Sequence, residues 1–230
     1  DDGESYKGFS NILCLVLPFS TTTAEILELE IGLQMQPDTK LPYEWTAIGR
    51  AARDLRLQGF ADEKIANLMN RSVSDIQRAI TMIDAADVYL SDWLNKPNAY
   101  SLLEGTEQAF KQIATQNWAR SDEPQLRETT RKFDFYVIEH RDVISERAYD
   151  LINKIELNPR DFLNQVALEW DIQIPVTTPD SEGLEISFEA EPVPDYTVLV
   201  EALLKDRNNK EDARERMGSL AQVCEIVGEQ

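Results

Sequence analysis

Residues 59–83, GFADEKIANLMNRSVSDIQRAITMI, constrain the fold more tightly than any other stretch of the chain. Ile65, Ala66 and Met69 recur at helical spacing on one face, and Ala66 is small enough for a second helix to cross closely. The pattern then breaks at Asn70-Arg71, where Asn is one of the few non-glycine residues that tolerates a left-handed backbone. Ser72 followed by Asp75 resembles a capping box with Asp in place of Glu, and Ile76, Ile80 and Ile83 form the buried stripe of a further helix. A preceding helix over residues 45–57, WTAIGRAARDLRL, turns Ile48, Ala51, Ala52 and Leu55 inward and is ended by Gly59. The expectation is a three-helix unit whose last two helices meet at a tight turn.

That arrangement is the one used by helix-turn-helix proteins to enter a DNA groove, with the second helix as reader. Its free face carries Ser74, Gln77, Arg78 and Thr81, side chains able to hydrogen-bond base edges or phosphates, with Arg able to make two bonds to guanine. The candidate DNA-binding set is Arg71, Ser72, Ser74, Gln77, Arg78 and Thr81, with Lys64 and Arg53 as flanking phosphate contacts; Arg50 and Arg56 add further cations. The plainer reading is two amphipathic helices with a short link, common in any helical domain.

The wider run PYEWTAIGRAARDLRLQGFADEKIANLMNRSVSDIQRAITMIDAADVYL resembles the central domain of ParB and RepB-like partition proteins of chromosomes and plasmids. Upstream, ILCLVL at 12–17 resembles the last strand of that family's α/β nucleotide-binding domain, and TAEILELEIGLQM at 23–35 the helix after it. The likeness covers about residues 9–115 and ends there. It implies sequence-specific binding of double-stranded DNA by a homodimer, in DNA partition, plasmid or prophage maintenance, or transcriptional control. The family's Asn-x-Gln-Arg-like nucleotide run reads Gly32-Leu33-Gln34-Met35 here, with Gln34 the one match. Methionine cannot replace the paired charged hydrogen bonds that arginine makes to phosphate. The nucleotide site is therefore not carried over, and CTP or ATP is implied by the resemblance alone.

Charge is unevenly distributed. The net −19 divides into −6 for residues 1–49, +2 for 50–83 and −15 for 84–230. The acidic remainder would repel a duplex held nearby, so stable DNA binding requires dimerisation, a partner or specific base contacts; the simpler role of the acidity is solubility. No apolar run approaches the ~20 residues that span a bilayer, and the N-terminus lacks a basic-then-apolar secretory order, so a cytoplasmic protein in a bacterial, plasmid or phage setting is expected. Cys14 and Cys224 are too sparse for a disulfide framework and are read as buried thiols.

Downstream, residues 85–94 continue helically, Lys96-Pro97-Asn98 breaks the chain, and 100–118 form another amphipathic helix. A longer helical stretch is expected from Glu123-Pro124 to about Ile155, buried on several sides, then a helix over 159–170 capped by Asn158. Residues 174–195 read as an acidic, Pro-rich linker in which Leu184, Ile186 and Phe188 alternate as a short strand would. Helices over 196–204 and 211–227 form a terminal pair, with Val198, Leu199, Ala202, Leu203, Met217, Leu220, Val223 and Ile226 available for an interface.

The expected fold is mainly α, with a small α/β remnant at the N-terminus. Its parts are the end of a ParB-like α/β domain (1–40), a helical helix-turn-helix domain (41–173), the linker (174–195) and a C-terminal helical interaction module (196–230). Nothing assembles a catalytic constellation: His140, between Glu139 and Arg141, reads as a surface or salt-bridged imidazole, there is no GxxxxGK[ST] or GxGxxG loop, and no acidic grouping has metal-ligand spacing. The chain is not expected to be an enzyme. Against a DNA reader stands an acidic protein-interaction scaffold with a repurposed helix-turn-helix, docking a partner through the acidic C-terminal half. A weaker third reading is a CTP- or ATP-dependent switch completed by an N-terminal segment beyond this sequence.

Overall fold

A computed structural model describes residue 14 and residues 16–34, 44–115, 124–143, 147–177 and 193–228, and the protein is mainly helical. Helix α1 (Thr23–Gln34) precedes α2 (Trp45–Leu57), which closes where Gly59 adopts φ 87°, a left-handed value that costs glycine little. Helix α3 (Asp62–Leu68) follows, then a turn in which Asn70 is left-handed at φ 50°, then α4 (Val73–Val88). Ser72 caps α4 by accepting a 3.1 Å hydrogen bond from the Asp75 N–H while donating to its carboxylate at 2.6 Å.

Helix α4 belongs to two cores. Its first turns, through Ile76 and Ile80, join Ile48, Ala52 and Leu55 of α2 and Ile65, Ala66 and Met69 in a small cluster. Its later turns, through Met82, Ile83 and Ala86, enter a larger cluster containing every helix that follows. The crossing of α2 on α4 is close because Gly49 is buried there: a Cβ at that position would lie 2.7 Å from the Ala79 carbonyl oxygen. Past Val88 the helix widens into a π turn, Tyr89–Trp93, then stops at Asn95 and Asn98, both left-handed.

In place of the expected helix over 100–118, the described residues form a 3₁₀ turn, Tyr100–Leu103, and α5 (Glu107–Thr115), separated where Gly105 takes φ 75°, and residues 116–118 lie outside the described residues. The stretch expected to run on to Ile155 is two helices, α6 (Pro124–Glu139) and α7 (Ala148–Leu157). Phe133, Phe135, Tyr136, Val137 and Ile138 of α6 are all fully buried, since neighbours cover that helix on several sides. Tyr89 packs against both Phe110 and Phe135, at ring distances of 5.8 and 5.3 Å, joining α5 to α6. His140 is buried against the Tyr136 ring rather than lying at the surface, and burial lowers its pKa, favouring the neutral imidazole.

Helix α8 (Pro159–Glu169) starts with Pro at its first position. Asn158 precedes it without a capping bond to the backbone; its amide donates to the Asp161 carboxylate instead. A two-residue antiparallel pairing of β1 (Val176–Thr177) with β2 (Val193–Pro194) holds the ends of the acidic segment together. The alternation at Leu184, Ile186 and Phe188 lies outside the described residues, as do the structures of most of residues 1–15. Of the expected strand over 12–17, the described residues Cys14, Val16 and Leu17 carry no strand pairing, and Cys14 is exposed rather than buried.

Helices α9 (Thr197–Asp206) and α10 (Lys210–Gly228) turn most of their apolar stripe into the chain's own core, with Ile226 left exposed. Leu199, Leu203, Met217, Leu220 and Val223 are fully buried in the larger core, where α10 packs on α7 and α8, and α9 on α6. Arg207 reinforces this, donating to Glu139 at 3.0 and 2.7 Å and to the Trp93 carbonyl at 2.6 Å. The terminal pair is thus part of the main core because its stripe matches apolar surface already present in the chain. Cys224 is buried there, and burial pushes its thiol up to about 12.

Candidate nucleic-acid interface

The turn at Asn70 and the Ser72 cap present the first half of α4 at the surface. Ser74, Gln77 and Thr81 are exposed and Arg78 is half-buried, and they share one side of the helix. The opposite side, through Ile76, Ile80 and Ile83, is buried. Arg71 and Ser72 lie at the same end, so the structure brings together six of the eight sequence candidates. The Thr81 hydroxyl donates back to the Gln77 carbonyl at 3.0 Å.

Arg53 and Lys64 are elsewhere. Arg53, on α2, bonds Asp84 at 3.1 Å and also pairs with Asp87, at the far half of α4. The Asp87 hydrogen bond, with Asp84 beside it, raises the Arg53 pKa further, and the same carboxylate accepts from the Tyr100 hydroxyl at 2.7 Å. Lys64 pairs with Glu28 of α1 at 3.0 Å. These partners are 31 to 36 residues away in sequence, beyond the i, i+3 and i, i+4 spacings visible in a single helix.

The two flanks of the α4 surface differ electrostatically. On the side of α3, Asp62 accepts both guanidinium bonds of Arg56, at 3.0 and 2.9 Å, and the Gln77 amide at 3.0 Å. The Gln77 bond and the Arg56 pair hold the Asp62 carboxyl below the usual carboxylate range. Asp75 is likewise held low, chiefly by Ser72.

On the side of α5 the balance reverses. A cleft of about 210 Å³ is bordered by Arg71, Arg78 and Lys111, with Asp75 and Glu107 between them and Trp45 as a wall. Trp45 stacks on Phe110 at 5.4 Å, which fixes the indole. Arg78 reaches Asp75 only at 3.4 Å, and among the described residues neither Arg71 nor Lys111 has an ion pair. Lys111 and Trp45 had no functional signal in the sequence: one reads as a solvated position of α5 and the other as the start of α2, and only packing brings them beside α4.

No known family model, curated protein or solved structure matches the chain. Among the described residues no helix is long and apolar enough to cross a membrane, and no group of three or more His, Cys, Asp or Glu is arranged to hold a metal ion.

Proposed function

We propose that this chain is a ParB-like helix-turn-helix DNA-binding protein that reads a specific duplex site through α4, as a homodimer, in DNA partition, plasmid or prophage maintenance, or transcriptional control. One observation carries the reading: Ser74, Gln77, Arg78 and Thr81 share the outward side of a capped helix, with Arg71 and Lys111, two cations that make no ion pair among the described residues, at its edge. Hydrogen-bonding side chains on an exposed helix supply direct readout, and free cations supply the salt-dependent attraction to phosphate.

The test is capture of genomic fragments by the purified chain at about 50 and 200 mM salt, comparing wild type with the Gln77→Ala/Arg78→Ala double variant. Good base contacts are each worth about 1–3 kcal/mol of discrimination, so the expected result is enrichment of one sequence that the double variant loses. A folded wild type that enriches nothing at either salt would sink the reading.

The second reading, a repurposed helix-turn-helix in an acidic scaffold, is favoured by a separate observation. Arg53, Arg56 and Lys64 are already neutralised by acids of the same chain, which leaves the net charge of −19 to attract a basic protein partner.

A further inference from the structure

We infer that the cleft between α4 and α5 clamps one backbone phosphate of the bound duplex, with Arg71 and Lys111 as its cationic donors, Arg78 adding positive charge at its border with the base-reading face, and Trp45 as its rigid wall. The inference rests on the DNA-binding reading proposed above and extends it to a residue, Lys111, that lies outside the helix-turn-helix.

Three cations against two acids make this cleft locally positive in a chain of net charge −19. Both acids leave the cations usable. Asp75 is engaged by the Ser72 hydroxyl at 2.6 Å and touches Arg78 only at 3.4 Å, with both side chains substantially exposed, a geometry in which an ion pair contributes little. Glu107 and Lys111 sit one turn apart on α5, and Glu107 has no ion pair among the described residues. Asp75 also attracts Arg71 through space, but among the described residues Arg71 and Lys111 have no salt bridge to break when an anion arrives.

Size and surroundings select the ligand. About 210 Å³ is far above the ~10–15 Å³ that admits a single water, room enough for a phosphate and its nearest waters. Arg71, Glu107 and Lys111 are exposed, so the cleft borders a chain that runs past it rather than enclosing a small molecule. It also lies directly beside the α4 side chains proposed to read bases. A phosphate held there would set the register of α4 in the groove without contributing sequence preference.

The test measures binding of the full chain to a duplex of the enriched sequence and to a scrambled duplex, across a salt series, with folding of each variant checked by far-UV circular dichroism. Lys111→Gln and Arg71→Gln should each weaken binding about fivefold to tenfold at about 100 mM salt, equally on both duplexes, and lower the salt slope by about 0.9. Glu107→Gln should strengthen binding to both. Lys205→Gln, an equal charge change at an exposed position of α9, should do neither. A Lys111→Gln variant that behaves like Lys205→Gln, while Gln77→Ala still loses the preferred site, overturns the clamp and leaves the DNA reading standing. Wild type that enriches no sequence overturns both. A rise in wild-type melting temperature with millimolar inorganic phosphate, absent in Lys111→Gln and matched by no Lys111 effect on DNA, would assign the cleft to a free anion and overturn the duplex assignment.

Discussion

Replacing Gly49 by Ala tests how tightly the α2–α4 crossing is built. The new Cβ would lie 2.7 Å from the Ala79 carbonyl oxygen, 2.9 Å from Ile83 Cβ and 3.3 Å from Ile83 Cγ2. The nearest atoms belong to backbone and to a Cβ, which cannot swing aside as the end of a long side chain would. Restoring an ordinary separation of about 3.5 Å requires the helices to part by roughly 0.8 Å, loosening Ile48, Ala52 and Ile80 around the crossing. Overpacking of this kind costs about 1–3 kcal/mol, and rigid neighbours put Gly49 in the upper part of that range. Against it, Ala gains about 1 kcal/mol over Gly in helix propensity. The net expectation is a loss of about 1–2 kcal/mol, which for a chain of this size lowers the melting temperature by about 2–8 °C. Gly218→Ala is the internal comparison: this glycine is exposed on α10, its added Cβ meets nothing within 4 Å, and the substitution should raise the melting temperature. Both are read by thermal melting followed by circular dichroism. A Gly49→Ala protein that melts at or above wild type would refute the close crossing.

Ser72→Ala removes the acceptor for the Asp75 N–H and should cost about 1 kcal/mol in urea unfolding, with no change in m-value. Leu203→Ala, at a fully buried site of α9, should lower the stability of the whole chain by about 2–5 kcal/mol in one cooperative transition; a separate early melt of the C-terminal helices would contradict their place in the main core. Asp134 is fully buried beside Glu156, and burial first, then that neighbouring carboxyl, raises its pKa well above the ordinary value. The folded state therefore holds a proton that the unfolded chain releases near pH ~4. This contribution is fully present below that pH and declines as pH rises toward the folded value. Asp134→Asn should flatten that decline in a series of melting temperatures against pH, and an unchanged slope would show that Asp134 is not its source.

The parts of the fold legible in the sequence are those specified by neighbours along the chain. Residues 45–57 form one helix because an inward stripe ends at a glycine, Asn70 sits where a left-handed residue is needed, and Ser72 caps α4 through a bond three residues long. The break between α6 and α7 was not legible. From Glu139 to Arg147 the sequence contains neither Gly nor Pro, and the apolar run before it has no single face whose end could mark the boundary. The burial of Asp134 and His140 was equally hidden, since it depends on α7, α8 and α9 packing on α6. An amphipathic stripe also reports that a helix buries one face without identifying the surface that receives it. That is why α9 and α10 looked available for a partner.

The same limit applies to charge. Six cations between Arg50 and Arg78 suggest a basic surface, yet Arg53, Arg56 and Lys64 face acids delivered by α4, α3 and α1. Arg50 lies over the Tyr100 ring at 4.5 Å. What is left for an external anion is one edge of α4, where α5 contributes Lys111, which makes no ion pair among the described residues. On the opposite edge Gln77 donates to Asp62, so reading a base with that amide means exchanging one acceptor for another. A duplex that offers a good acceptor makes the exchange nearly neutral, whereas one that does not leaves Gln77 bound to Asp62 and brings a phosphate-bearing chain toward an acidic side chain. Asp62 would then oppose wrong sequences more than it opposes the right one. On the proposed DNA-binding reading, this favours selectivity over general affinity in so acidic a chain.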